Sequence, residues 1–214
     1  MGVRKLVRAG LTAAAAVALG ALPAAAQTVT YSTTGTLTGS GCVSNVCTVP
    51  GATVGSGSFT LTFLNDASAS YLAPSPIIDF GQFQTAFTPG TGSTIPTSFP
   101  TLSFTLTINQ TSPSVGTNSF VGSITGSMAY NPSQSTLIWT PTTTALTIGN
   151  AAYTLTTDNT GNIRIQAPTI DNNGNPNNTS VKGGVNVAPE PATLLLLAPG
   201  LAGVGLVARR RKNK

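Results

Sequence analysis

From Leu102 to Ile108 apolar and hydroxyl side chains take strict turns, with Leu102, Phe104, Leu106 and Ile108 separated by Ser103, Thr105 and Thr107. A period of two belongs to a strand with one dry face and one wet one; a helix returns to the same face only about every 3.6 residues. Phe59, Leu61 and Phe63 repeat the pattern around Thr60 and Thr62. A third segment sets Phe120, Gly122, Ile124, Gly126, Met128 and Tyr130 on one face and Val121, Ser123, Thr125, Ser127 and Ala129 on the other. Its glycines thin the core side, as they do at a bulge or where backbone approaches closely. Shorter strands are expected at 137–139, 145–148, 153–155 and 163–165, joined at Gly149-Asn150 and at Asp158-Asn159-Thr160-Gly161, which carry hairpin-turn residues.

Abundant threonine favours strands through its branched Cβ, and Pro74, Pro76, Pro89, Pro96, Pro100, Pro113, Pro132 and Pro141 punctuate them. No helical pattern occurs between residues 27 and 187, and no repeat of fixed period is present. The expected fold is all-β, an antiparallel β-sandwich or barrel-like sandwich over residues 27–168. The stretch 89–100 reads as an exposed loop. Residues 169–187 open with the Asn/Gly-rich run from Asp171 to Asn178 and read either as a long loop before a last strand near 181–187 or as the start of a stalk.

Both ends of the chain carry addresses. Arg4, Lys5 and Arg8 precede an apolar stretch too short to span comfortably, and Pro23 leads into Ala24-Ala25-Ala26 ahead of Gln27. This is the pattern of a secretory signal peptide over residues 1–26; Ala24 and Ala26 are the small residues that signal peptidase requires, and Gln27 is the expected first mature residue. At the other end Ala188-Pro189-Glu190-Pro191 leads into the apolar run 192–208 and then Arg209, Arg210, Arg211, Lys212 and Lys214. A helix over that run would be roughly 25 Å long, at the short end of what crosses a bilayer. The basic cluster orients it with its C-terminus in the cytoplasm and everything before residue 192 outside. Pro199 and Gly200 weaken its middle, and Pro189 and Pro191 hold Glu190 on extended backbone.

A Pro-Glu-Pro signature, a short apolar segment and a terminal basic cluster together resemble the PEP-CTERM sorting signal of exported bacterial proteins. The resemblance covers 188–214 and implies an exosortase-like membrane transpeptidase as partner, with Pro189, Glu190 and Pro191 as recognition residues. It also implies cleavage near them, transient membrane insertion through the C-terminal helix, and association with exopolysaccharide or biofilm at the cell surface or in the extracellular matrix. It carries nothing about the body, because such tails are attached to unrelated domains.

The two addresses also explain the charge. The whole chain has a formal net charge of +5, yet most of its basic residues belong to the ends. Between residues 27 and 188 stand Arg164 and Lys182 against Asp66, Asp79, Asp158 and Asp171, a net of −2. There is no basic stripe to bind a phosphate backbone, so nucleic acid is excluded as a partner. Cys42 and Cys47 are the only cysteines; in an oxidising compartment they are expected to pair and close a small loop between the first and second strands.

The catalytic inventory is thin. The chain has no histidine, which removes Ser-His-Asp and Cys-His chemistry and histidine metal sites. A glycosidase pair would have to come from Asp66, Asp79, Asp158 and Asp171, all in or beside expected turns. Asp171, Asn173, Asn175 and Asn177 have the spacing of a calcium loop, but Pro176 takes the glycine position and no bidentate Glu follows. Trp139, Tyr31, Tyr71, Tyr130 and Tyr153 could build a sugar-binding platform, although Trp139 lies within a strand and is more often core. The reading is therefore of a non-enzymatic exported protein without cofactor or metal, structural or adhesive, with a polysaccharide-binding module as the alternative and a two-aspartate hydrolase behind it.

Overall fold

A computed structural model describes residues 26–50, 57–88, 97–128, 136–168 and 176–188. Among them every regular element is a strand, and the strands form two antiparallel sheets. In chain order they are β1 (Gln27–Thr38), β2 (Cys42–Val43), β3 (Val46–Pro50), β4 (Ser58–Asn65), β5 (Ala69–Ala73), β6 (Ser75–Thr88), β7 (Thr97–Ser112), β8 (Gly116–Met128), β9 (Ile138–Pro141), β10 (Ala145–Ile148), β11 (Ala151–Leu155), β12 (Ile163–Arg164) and β13 (Asn177–Val187). One sheet runs β12-β9-β8-β7-β1-β5 and the other β10-β11-β13-β6-β4-β3-β2. Residues 1–25 of the expected signal peptide and the run 192–208 lie outside the described residues.

Alternation decides which side chains the sheets trap. Leu102, Phe104, Leu106 and Ile108 of β7 are fully buried, while the hydroxyl residues between them remain partly or fully exposed. Phe59, Leu61 and Phe63 do the same on β4. The two inner faces meet through aromatic rings. Phe104 packs on Phe63 at 4.8 Å and on Phe83 of β6 at 4.7 Å, and Tyr31 of β1 meets Tyr153 of β11 edge-on at 5.8 Å. Such tilted and edge-on geometries are the ones that ring quadrupoles favour, so the molecule is a sandwich with an aromatic centre.

Two glycines are there because rings occupy the space of a side chain. A Cβ on Gly35 would fall on the Phe63 ring, and one on Gly122 would fall on both the Thr140 carbonyl oxygen and the Trp139 indole nitrogen. The inner face of β6 changes parity at Gly81, whose φ of 112° suits glycine: Ile78 and Phe80 point inward before it, Phe83 and Thr85 after it.

Neither terminal strand lies at an edge. β1 sits between β5 and β7, and β13 sits between β11 and β6. Of the alternatives open for 169–187, the described part is thus a strand in the middle of a sheet, and the compact body extends from Gln27 to Glu190.

Candidate functional site

The strand registers place both ends of the body at one pole. Gln27 pairs with Ala73, Val185 with Ser75, and Ala151 with Val187. The β10–β11 hairpin turns there through Gly149 and Asn150, with Gly149 at φ 59° in the first central position of a two-residue loop. Asn150 then joins the two ends. Its carbonyl accepts from Ala188 N–H at 2.9 Å, and its Nδ2 donates to Ala188 O at 3.2 Å and, at a long 3.5 Å, to Gln27 Oε1. Asn150 Oδ1 is buried without a partner. Pro189 follows Ala188 in the sequence and has no N–H to donate to a ladder.

Beneath Asn150 a buried polar side chain ties the sheets together. Gln110 continues the inward row of β7 and is only 1% exposed. Its Nε2 donates to Ser114 O at 2.8 Å, to Ser114 Oγ at 3.1 Å and to Ile148 O at 3.4 Å, while its Oε1 accepts from the Tyr153 hydroxyl at 2.5 Å. The network links the β7–β8 hairpin of one sheet to the β10–β11 hairpin of the other. Burial pushes the Tyr153 phenol above the usual tyrosine range. Gln110 carries one sequence signal of its burial, which no motif marks: it falls on the inner parity set by Leu102 to Ile108.

The other candidates take structural places. Trp139, Tyr31 and Tyr153 are 0–1% exposed, so the sugar platform loses these three residues to the core, as the apolar parity of their strands dictates. Trp139 Nε1 is buried without a hydrogen-bond partner, faced by Gly122. Tyr31 donates to Asp79 O at 2.6 Å, and Tyr71 accepts from Asp79 N–H at 3.2 Å. Burial, with Tyr71, Asp66, Tyr153 and Asp79 adding to it, raises the Tyr31 phenol. Tyr130, Asp171, Asn173 and Asn175 lie outside the described residues; Asn177 opens β13 and donates to Ala167 O at 2.8 Å.

Cys42 and Cys47 form a disulfide between directly opposed residues of β2 and β3, 3.9 Å apart at Cα. The turn between them, Ser44-Asn45, has φ values of 50° and 66°, as a tight two-residue hairpin requires. The Asp79 carboxylate accepts from Gly81 N–H at 2.9 Å. That of Asp158 accepts from Thr160 Oγ1 at 2.6 Å, Asn162 N–H at 2.9 Å and Thr160 N–H at 2.8 Å. Led by the Thr160 hydroxyl, these bonds hold the Asp158 carboxyl below the usual range. Both carboxylates thus fix local backbone. Among the described residues no cluster of three or more His, Cys, Asp or Glu could hold a metal ion.

Ala24 and the residues from Pro189 onward lie outside the described residues, while Ala26 is exposed and directly precedes β1. Residues 187–212 match the family model described as the PEP-CTERM protein-sorting motif. No curated protein and no solved structure matches the chain. The matched span begins at Val187, the last residue of β13, and takes in Pro189, Glu190 and Pro191 with Arg209, Arg210, Arg211 and Lys212. The chain carries a PEP-CTERM sorting motif, and that motif marks it as an exported protein targeted to an exosortase of the membrane.

Proposed function

We propose that residues 27–188 are a non-catalytic structural or adhesive protein of the cell surface or extracellular matrix, released or attached by processing near Pro189-Glu190-Pro191 and retained in exopolysaccharide or biofilm. One observation carries the reading: the body is closed by Ala188, and the sorting motif starts at the same place, so the tail can be removed without taking any strand from either sheet. Residues 1–26 act in this account as a signal peptide, cleaved by signal peptidase, and 192–208 as a transient membrane helix. The rest follows from surface chemistry. The outward positions are mostly Ser, Thr and Asn with few charges, and the Asp79 and Asp158 carboxylates serve backbone geometry.

The test uses protein recovered from its native producer. Purified body should self-associate or sediment with matrix polysaccharide, and it should turn over no glycan. A protein that stays monomeric and ignores cells and matrix removes the adhesive role; glycan hydrolysis lost in Asp79→Asn or Asp158→Asn would replace it with a hydrolase.

A further inference from the structure

We infer that Gln27 is a modification site: once signal peptidase has freed its α-amine, the residue closes into an N-terminal pyroglutamyl lactam. The inference rests on cleavage after Ala26, part of the reading above. In the closure the α-nitrogen attacks the side-chain Cδ, the N–Cδ bond forms, the Cδ–Nε2 bond breaks, and Nε2 leaves as ammonia with the proton released from the amine. No oxidant, reductant or cofactor is needed.

The structure favours this residue in three ways. Gln27 is the first residue of β1 and of the compact body, so cleavage after Ala26 leaves both sheets whole. Its leaving nitrogen, Nε2, makes no hydrogen bond to any described residue, while Oε1, which survives as the lactam carbonyl, is the atom facing Asn150 Nδ2. Among the described residues none of its hydrogen bonds involves a carboxylate. The ring uses only the side chain and the α-nitrogen; it keeps one N–H and leaves the course of β1 beyond Cα unchanged.

The modification also has a structural consequence. Val29, two residues on, is completely buried. Exopeptidase trimming from an open amine therefore reaches the core almost at once, and the lactam removes the amine that such enzymes grip. A blocked end suits a strand with no dispensable residues in front of it.

Full-length protein expressed in its native producer should be digested with chymotrypsin and the N-terminal peptide ending at Tyr31 weighed. The expected peptide starts at Gln27, is lighter than its open form by one ammonia, and becomes sequenceable only after pyroglutamyl aminopeptidase treatment. A peptide that starts at Gln27 with a free amine overturns the inference and leaves the cleavage reading standing. A peptide starting elsewhere overturns both. As a second arm, Gln27→Ala should lose residues from Thr28 onward under a broad aminopeptidase while the unaltered protein resists; equal resistance would contradict the protective role.

Discussion

The two ends of the sandwich are built differently. At the pole of Gln27 and Ala188 the strands are joined by tight connections, at Pro74, at 113–115 and at Gly149-Asn150, and the sheets are tied by Gln110. The connections 51–57, 89–96, 129–137 and 165–176 all leave from the opposite end, since Ser58 pairs with Thr88, Thr97 with Met128, and Asn177 with Thr85. Their sequences are rich in Gly, Ser, Thr, Pro and Asn and nearly uncharged. One end holds Gln27 and Ala188, the two ends of the body; the other carries the long connections, and connections of that kind on a sandwich frame are where binding residues concentrate.

The largest expected effect strikes the held end. Gln110→Ala leaves the Tyr153 hydroxyl and the Ser114 and Ile148 carbonyls without their partner, and should cost about 3 kcal/mol in urea unfolding, since each orphaned group costs roughly 1–3 kcal/mol. The pair Gln110→Leu with Tyr153→Phe should recover much of that loss; purely additive losses would show that the network does not act as a unit. Next comes the covalent tie at the far edge of the seven-stranded sheet. Replacing Cys42 and Cys47 together by alanine should cost about 2 kcal/mol, as expected for so short a ring, and should leave the Gln110 region unchanged in hydrogen exchange.

Smaller effects sharpen the contrast. Inserting four Gly/Ser residues after Gly92 should cost under about 1 kcal/mol, because lengthening a connection adds little closure entropy; the same insertion between Gly149 and Asn150 should abolish the Ala188 contacts and lower the melting temperature by several degrees. The smallest is Asp158→Asn. The folded carboxyl is held below its unfolded value, so its contribution is present above about pH 4 and fades as pH falls through the folded value. The variant should therefore show a flatter stability profile in acid. Tyr31 and Tyr153 are raised, so the opposite holds at high pH: their contribution is complete below about pH 10 and is lost above it.

The sequence foretold the strands in which inward and outward side chains differ plainly in polarity over several successive positions. β4, β8 and the part of β7 from Leu102 to Ile108 alternate without a break and were legible, whereas 97–100, expected within the exposed loop 89–100, open β7, with Phe99 buried ahead of a register shift. β1 was hidden because two of its inward residues are Thr33 and Gly35, the glycine being required by the Phe63 ring. β6 was hidden because the bulge at Gly81 shifts its inward set by one residue. The cysteine pairing was legible from compartment and spacing, and the sorting tail from its order of signature, apolar run and basic cluster. The meeting of Gln27 and Ala188 at Asn150 was not, since it depends on strand registers across residues far apart in the chain.

The most direct test of the account is the intact mass of the protein in membrane, cell-surface and medium fractions of its producer. The account predicts a surface or medium species lacking both residues 1–26 and the residues beyond the Pro189-Glu190-Pro191 segment. A single species that retains Arg209 to Lys214 in every fraction would contradict it and make the chain an ordinary membrane-anchored protein.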